Sequence, residues 1–253
     1  MGKLKAAVLA AGRGIRMGGV MPKTLTTVAD DEPLLHYLLA GLEKAGVEDL
    51  LVVTGFRARE VQEFVSSRWS DENVQFVFNA RFASWGNFHS VRLAIDQSPG
   101  RDLLVVNSDI VIHPDVIRRV TETEGDLILA VDRRDRLDQE DMRVEIRGGR
   151  VVAIGKDLKP ARSHGEYIGV SLMRHDAARL YAGLSTQLQW TATTRLYYED
   201  VFDMMLERVD ARPVVAQTGE YAEVDEPADL EAATNVIERF RSSWDAPAGT
   251  TVA

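Results

Sequence analysis

The sequence predicts an α/β protein built on a doubly wound, mostly parallel sheet, with a small antiparallel layer appended to it. Three observations lead there. From Lys5 to Asp109, short Leu/Val runs alternate with amphipathic stretches, and runs apolar on both faces mark parallel strands covered by helices on each side. Between Asp126 and Met173, strand-like segments follow one another with no obvious helix, so they must return antiparallel. The 253 residues, 45% hydrophobic and 27% charged, suffice for one large α/β domain or two small ones.

Lys5 to Ala10 is the first strand. Leu34, Leu35, Leu38, Leu39 and Leu42 then recur at helical spacing, introduced by Asp31 and by Pro33 in the first turn. DLLVVTG gives a second strand ending at Gly55, Ala58 to Ser66 a helix, NVQFVFN a third strand, Asn87 to Ile95 a helix and DLLVVNSD a fourth strand. DLILAVD, MRVEIR, RVVAIG and YIGVSLM form the antiparallel layer, with Gly148-Gly149 as a tight hairpin turn. Helices return at Asp176 to Leu184 and Tyr198 to Glu207, followed by a strand at Pro213 to Gln217 and a last helix from Pro227 to about Arg241. With no internal repeat or long linker, residues 1–241 read as one domain, with a core of about 1–125 and 210–241 and an antiparallel insertion at about 126–209. Residues 242–253, SSWDAPAGTTVA, read as a loose tail.

The formal charge of −9 is unevenly spread: residues 1–196 hold 26 basic and 26 acidic side chains, residues 197–253 hold 4 and 13. A neutral body with an acidic end lacks the basic face that nucleic acid or an anionic membrane surface requires. No run approaches the roughly 18 apolar residues of a membrane-crossing helix. The absence of cysteine excludes disulfides, thiolate metal sites and cysteine nucleophiles, and makes the cytoplasm the expected compartment. Any metal must be held by oxygen or imidazole.

The segment Leu9 to Leu25, LAAGRGIRMGGVMPKTL, is the most informative. Small residues Ala10, Ala11 and Gly12 end a strand where backbone N–H groups can approach a ligand, and Gly14, Gly18 and Gly19 follow beside Arg13, Arg16 and Lys23. This is a phosphate cradle. It is not a Walker loop, because Pro22 precedes Lys23 where glycine is required, and it lacks the third glycine of the dinucleotide fingerprint.

At this point the sequence resembles the nucleotidyltransferases that activate small phosphorylated compounds with a nucleoside triphosphate, and within them the phosphocholine-type and phosphonate cytidylyltransferases. The resemblance rests on Gly12, Arg13, Gly14, Met17, Pro22 and Lys23. It extends through NARFASWGNFHSVRLA, where Asn79, Phe82, Asn87 and Ser90 match, VVNSD ending at Asp109, IGKDLKPARSHGEYIG with Lys156, and AEVDEPADLEAA with Asp225. Gly86 stands where such enzymes often carry another Asn. The resemblance implies a Rossmann-like nucleotidyltransferase fold, Mg²⁺ as cofactor, and CTP or another triphosphate with a small phosphorylated or phosphonate acceptor as partners. A homodimer is compatible with it; nucleic acid and membrane insertion are not expected.

The residue chemistry agrees. Joining two anions requires their repulsion to be offset at one point. Lys23 is expected near the α-phosphate, Arg13 on the departing phosphates and Lys156 on the incoming one. Taken singly, Asp109 reads as a turn or cap and Asp225 as an N-cap; together with the cradle they suit Mg²⁺, a hard ion that prefers one or two carboxylates plus phosphate oxygens. The nucleotide site is expected from Leu9, Ala10, Ala11, Gly12 and Gly14 on one side and Asn79, Gly86, Asn87 and Ser90 on the other. Aromatic and acidic residues near the motifs, Trp85, Tyr167, Tyr198, Glu166 and Glu199, are the candidate acceptor pocket, suited to a quaternary or primary amine. The five scattered histidines receive no role. The expected activity is Mg²⁺-dependent transfer of CMP to a phospho-alcohol or phosphonate with release of pyrophosphate. The alternatives are a sugar-1-phosphate nucleotidyltransferase using UTP, GTP or dTTP, and a silent nucleotide-binding regulator.

Overall fold

The computed structural model describes residues 4–133, 137–190 and 194–244. In chain order the strands are β1 (Lys5–Ala10), β2 (Thr27–Ala29), β3 (Glu32–Pro33), β4 (Leu50–Thr54), β5 (Val74–Phe78), β6 (Leu103–Asn107), β7 (Ile110–Ile112), β8 (Leu127–Asp132), β9 (Arg143–Arg147), β10 (Arg150–Gly155), β11 (Gly165–Met173), β12 (Ala211–Ala216) and β13 (Tyr221–Glu223). The α-helices are α1 (Leu34–Lys44), α2 (Ala58–Ser66), α3 (Phe88–Asp96), α4 (Pro114–Glu122), α5 (His175–Leu188), α6 (Tyr198–Met205) and α7 (Leu230–Arg239).

The four Leu/Val runs form the parallel half of one mixed sheet in the order β5-β4-β1-β6, with Ala6 of β1 opposite Leu50 and Leu104. Chain order reverses at β1. The crevice beyond the carboxyl ends of β1 and β6 is therefore the topological switch point, where sheets of this kind bind ligands. Beyond β6 the sheet turns antiparallel through β11, which also pairs with β8 and β9. The β9–β10 hairpin turns on Gly148 and Gly149, both at positive φ, as a tight two-residue turn requires.

Burial explains the double winding. On one face Leu51, Val53, Val105 and Leu129 pack against Phe88, Tyr181 and Phe202 of α3, α5 and α6. On the other, Val8, Val52 and Val106 pack against the leucines of α1, Val61 of α2 and Val116 of α4. Each such fully buried side chain contributes about 1.5–3 kcal/mol relative to exposure.

Several elements differ from the sequence expectation. Pro33 is not in the first turn of α1 but immediately before it, in extended backbone. The helix α4 was not among the expected elements. Here Pro114 opens the helix and the His113 ring accepts from the Asp115 amide at 3.1 Å. The strands β7 and β13 were also unexpected. They pair antiparallel, Glu223 opposite Ile110, as a small sheet of their own. Within the segment expected as a loose tail from residue 242, Trp244 is buried, its indole N–H donating to the Tyr37 carbonyl at 3.0 Å, and residues 245–253 lie outside the described residues. No helix among the described residues is long and apolar enough to cross a membrane.

Candidate active site

The switch point is built from three loops. The first follows β1. Gly14 takes φ +61°, and a Cβ there would come within 2.5 Å of Lys23 Cβ, so glycine lets the cradle close onto the lysine stem. Pro22 precedes the short turn Lys23–Leu25, which aims the ammonium inward. The second loop follows β6, where the Ser108 hydroxyl donates to the Leu9 carbonyl at 2.8 Å and ties it to β1. The third follows β13. The Val224 amide donates to the Asp109 carbonyl at 2.8 Å, zipping the end of β13 onto Asp109.

These loops bring Lys23 Nζ to 2.8 Å from Asp109 Oδ2 and 2.5 Å from Asp225 Oδ1, and the Arg16 guanidinium to 2.9 Å from Asp225 Oδ2. Burial pulls the Lys23 pKa down, but the two carboxylates outweigh it and the net shift is upward. Asp225 is not a helix cap. Glu226 is the cap, in a reciprocal pair with Asp229, whose carboxylate accepts from the Asp225 and Glu226 amides, both at 2.8 Å.

Glu223 completes the cluster and was missed. One carboxylate oxygen each of Asp109, Glu223 and Asp225 lies within 4.8 Å of the others. Burial, then the charges of Asp109, Asp225 and Glu166, push the Glu223 carboxyl up to about 8 against the pull of Lys23. A signal existed: in AEVDEP, Glu223 and Asp225 are two residues apart, and on extended backbone such residues share a face. Asp109 Oδ1 is buried with no hydrogen-bond partner among the described residues. Three converging carboxylates with an orphaned oxygen are a fitting donor set for a hard divalent cation.

Three cavities meet at Asp109. The largest, about 740 Å³, is lined by the cradle, Lys23, Phe56, Phe82 and Asp225, and includes Leu9, Ala10, Gly12, Gly14 and Arg13. Arg13 lies with its guanidinium 5.3 Å from the Phe56 ring centre. Arg16, seen in sequence only as part of the cradle, faces both this cavity and the third.

The second cavity, about 190 Å³, is lined by Leu9, Ala11, Gly12, Asn79, Gly86, Asn87 and Ser90. The Asn79 amide donates to Ser90 Oγ and its Oδ1 accepts from the Arg81 backbone N–H, both at 2.9 Å, so Asn79 sets the wall. Asn87 Oδ1 accepts from the Tyr198 amide at 2.9 Å. Gly86 has a steric reason: a Cβ there would fall 1.9 Å from the Leu196 carbonyl oxygen.

The third cavity, about 250 Å³, is lined by Lys156, Glu166, Tyr167, Tyr197, Glu199 and the carboxylate cluster, with Glu140 and Asp141. Lys156 pairs with Glu140 at 3.2 Å, its ammonium 5.1 Å from the Tyr197 ring centre. Two expected acceptor residues lie elsewhere. Trp85 belongs to the second cavity, stacked on Phe88 with ring centres 5.9 Å apart. Tyr198 is fully buried in the core because Asn87 docks its backbone inward; its hydroxyl donates to Asn107 Oδ1 and lies within hydrogen-bond reach of Tyr167 Oη, both at 3.0 Å. Tyr198 therefore holds the pocket wall from behind.

The chain is similar to known proteins along most of its length. Over 238 residues, 92% of this chain and 51% of the relative, it is 31% identical to the bifunctional IPC transferase and DIPP synthase of Rubrobacter xylanophilus. Over 123 residues, 46% of this chain and 19% of the relative, it is 33% identical to the CMP-5'-(3-aminopropyl)phosphonate synthase of Streptomyces rubellomurinus. The chain thus spans about half the length, or less, of these curated relatives. Its fold matches the inositol-1-phosphate CTP transferase of T. maritima with a TM-score of 0.77 at 23% identity, covering 94% of this chain and 98% of that one. The family model described as the MobA-like NTP transferase domain matches residues 6–221, a span that holds the cradle, Asp109, Lys156 and Glu199 and ends before Glu223 and Asp225, and this chain belongs to that family.

Proposed function

We propose that this chain is a CTP-dependent cytidylyltransferase that joins CMP to a small phospho-alcohol or phosphonate and releases pyrophosphate. The observation that carries the reading is the convergence of Lys23 and Arg16 on Asp109, Glu223 and Asp225 where the three cavities meet. Nucleoside, phosphates and acceptor would each occupy one cavity, with the reacting phosphorus at their junction. The narrow cavity closed by Leu196 against Gly86 favours the smaller pyrimidine. The relatives' names support CTP and phosphonate chemistry.

The reaction is an in-line displacement. An acceptor oxygen forms the new bond to the α-phosphorus, the bond to the α,β-bridging oxygen breaks, and pyrophosphate departs with that electron pair. Lys23, already poised at the junction, exchanges its carboxylate partners for α-phosphate oxygens and offsets charge there. Arg13 and Arg16 hold the β- and γ-phosphates through the cradle, and Lys156 meets the incoming phosphate. Asp109, Glu223 and Asp225 would hold Mg²⁺, which when bound neutralises and aligns phosphate oxygens. No protein base is required, because the acceptor is already an anionic nucleophile. CTP as substrate would place the work in the cytoplasm.

The test is pyrophosphate release with CTP, UTP, GTP and dTTP, each against 2-aminoethylphosphonate, 2-hydroxyethylphosphonate, phosphocholine, inositol-1-phosphate and glucose-1-phosphate. CTP with a phosphonate or phospho-alcohol should exceed every other triphosphate at least tenfold. Faster release from UTP, GTP or dTTP with glucose-1-phosphate would replace this reading with sugar activation.

A further inference from the structure

The third cavity is more acidic than phosphate binding calls for. Away from the proposed metal cluster it is lined by Glu140, Asp141, Glu166 and Glu199, and its two cations, Lys156 and Arg16, are already paired with Glu140 and Asp225. Glu199 stands out among these. It lies in the first turn of α6, is only 5% exposed, and its Oε2 is buried with no hydrogen-bond partner among the described residues. A buried carboxylate oxygen without a donor is costly, and the cost is removed when a ligand brings one. Burial, helped by Asp200 and opposed by its own backbone amide, by a hydrogen bond between its carboxyl and the Tyr198 side chain and by Lys156, pushes the Glu199 carboxyl up to about 8.

The ligand group that satisfies this pocket carries positive charge and N–H donors. A neutral polyol offers donors without charge. A quaternary ammonium offers charge without a donor, and it is best held by an aromatic cage. The cage is not built here. Trp85 faces the second cavity, Tyr198 is in the core, Tyr167 is buried with its hydroxyl bonded to Ser171, and the Tyr197 ring sits beside Lys156. A primary ammonium offers both the charge and three donors.

We propose that Glu199 is the specificity residue of the acceptor pocket and selects a phosphate or phosphonate acceptor that bears a primary ammonium at its far end. The proposal rests on the cytidylyltransferase reading and narrows its substrate class. Glu199 would take the ammonium while Lys156 and the junction take the phosphorus end.

The experiment compares 2-aminoethylphosphonate with two matched analogues, 2-hydroxyethylphosphonate and 2-(trimethylammonio)ethylphosphonate. It measures pyrophosphate release with CTP and Mg²⁺, and calorimetric binding to the whole chain. The amino compound should exceed both analogues in kcat/KM by about 30-fold or more, since a site built to pair a donor rejects ligands lacking it. In Glu199→Gln, shown to be folded by its circular dichroism and melting transition, the amino-to-hydroxy ratio should fall at least tenfold, with the loss mainly in KM. Equal use of amino and hydroxy compounds by the unmodified chain overturns the proposal, and needs no variant. So does an unchanged ratio in folded Glu199→Gln. Preferential binding of the amino compound with no release from any triphosphate would support the ammonium site while overturning the cytidylyltransferase reading.

Discussion

Glycine at position 86 is set by the space its neighbours leave. A Cβ there would lie 1.9 Å from the Leu196 carbonyl oxygen and 2.7 Å from its carbon, and the Gly86 amide donates to the Thr194 carbonyl at 2.6 Å. Backbone cannot yield as a flexible side chain can. Gly86→Ala is therefore expected to cost about 3 kcal/mol, the upper end of the range for overpacking, read as a shift in urea midpoint with unchanged slope. A loss below about 0.5 kcal/mol would show that the Leu196 strap moves away freely. At this scale the sequence discloses chemistry better than orientation. Asp109 and Asp225, which singly read as caps, were singled out with Lys23 through the glycine cradle and the resemblance to nucleotidyltransferases, and the fold brings the three together. The burial of Tyr198 was not legible, because a tyrosine beside a motif looks the same whether its ring faces a pocket or the core. Glu223 was legible in principle from its two-residue spacing to Asp225, but a three-residue strand gives too little periodicity to be noticed.

Among elements, the first turn of α6 carries the least comfortable group. Glu199 has an ordinary pKa of 4.5 and is raised by burial to about 8, so between those values the folded chain holds a proton that the unfolded chain has released. Stability from this group is thus present at acidic pH and declines as pH rises from about 5 through 8. Glu199→Gln, neutral throughout, lacks this decline. The variant's Tm relative to the unmodified chain should therefore be higher at pH 8.5 than at pH 6; a constant difference would mean that Glu199 titrates normally. Element prediction itself worked where burial imposes a simple period. The sequence placed α2 at Ala58 to Ser66, as observed, and the parallel strands announced themselves by being apolar on both faces. The helix α4 went unread although it opens on Pro114, and proline at a first helical position is a start signal. The pairing of β7 with β13 depends on contacts 111 residues apart (Ile112 with Tyr221 to Ile110 with Glu223 spans 109 to 113), which local pattern cannot encode.

For the whole molecule, the charge of −9 acquires a location. Glu199, Glu223 and Asp225, from the acidic last part of the sequence, fold back onto Asp109 and Lys23 of the balanced body. The acidic excess thus includes part of the proposed machinery, and the sheet's switch point is where it is assembled. The central claim is that this junction transfers the nucleotidyl group. The most direct measurement is pyrophosphate release from CTP with 2-aminoethylphosphonate and saturating Mg²⁺, comparing the unmodified chain with Asp109→Asn, which keeps the side-chain size and removes the charge. The account expects a loss of at least about 100-fold in kcat, in the range found for removing one transition-state stabilising group, with an unchanged melting transition. Release within about threefold of the unmodified rate would contradict it.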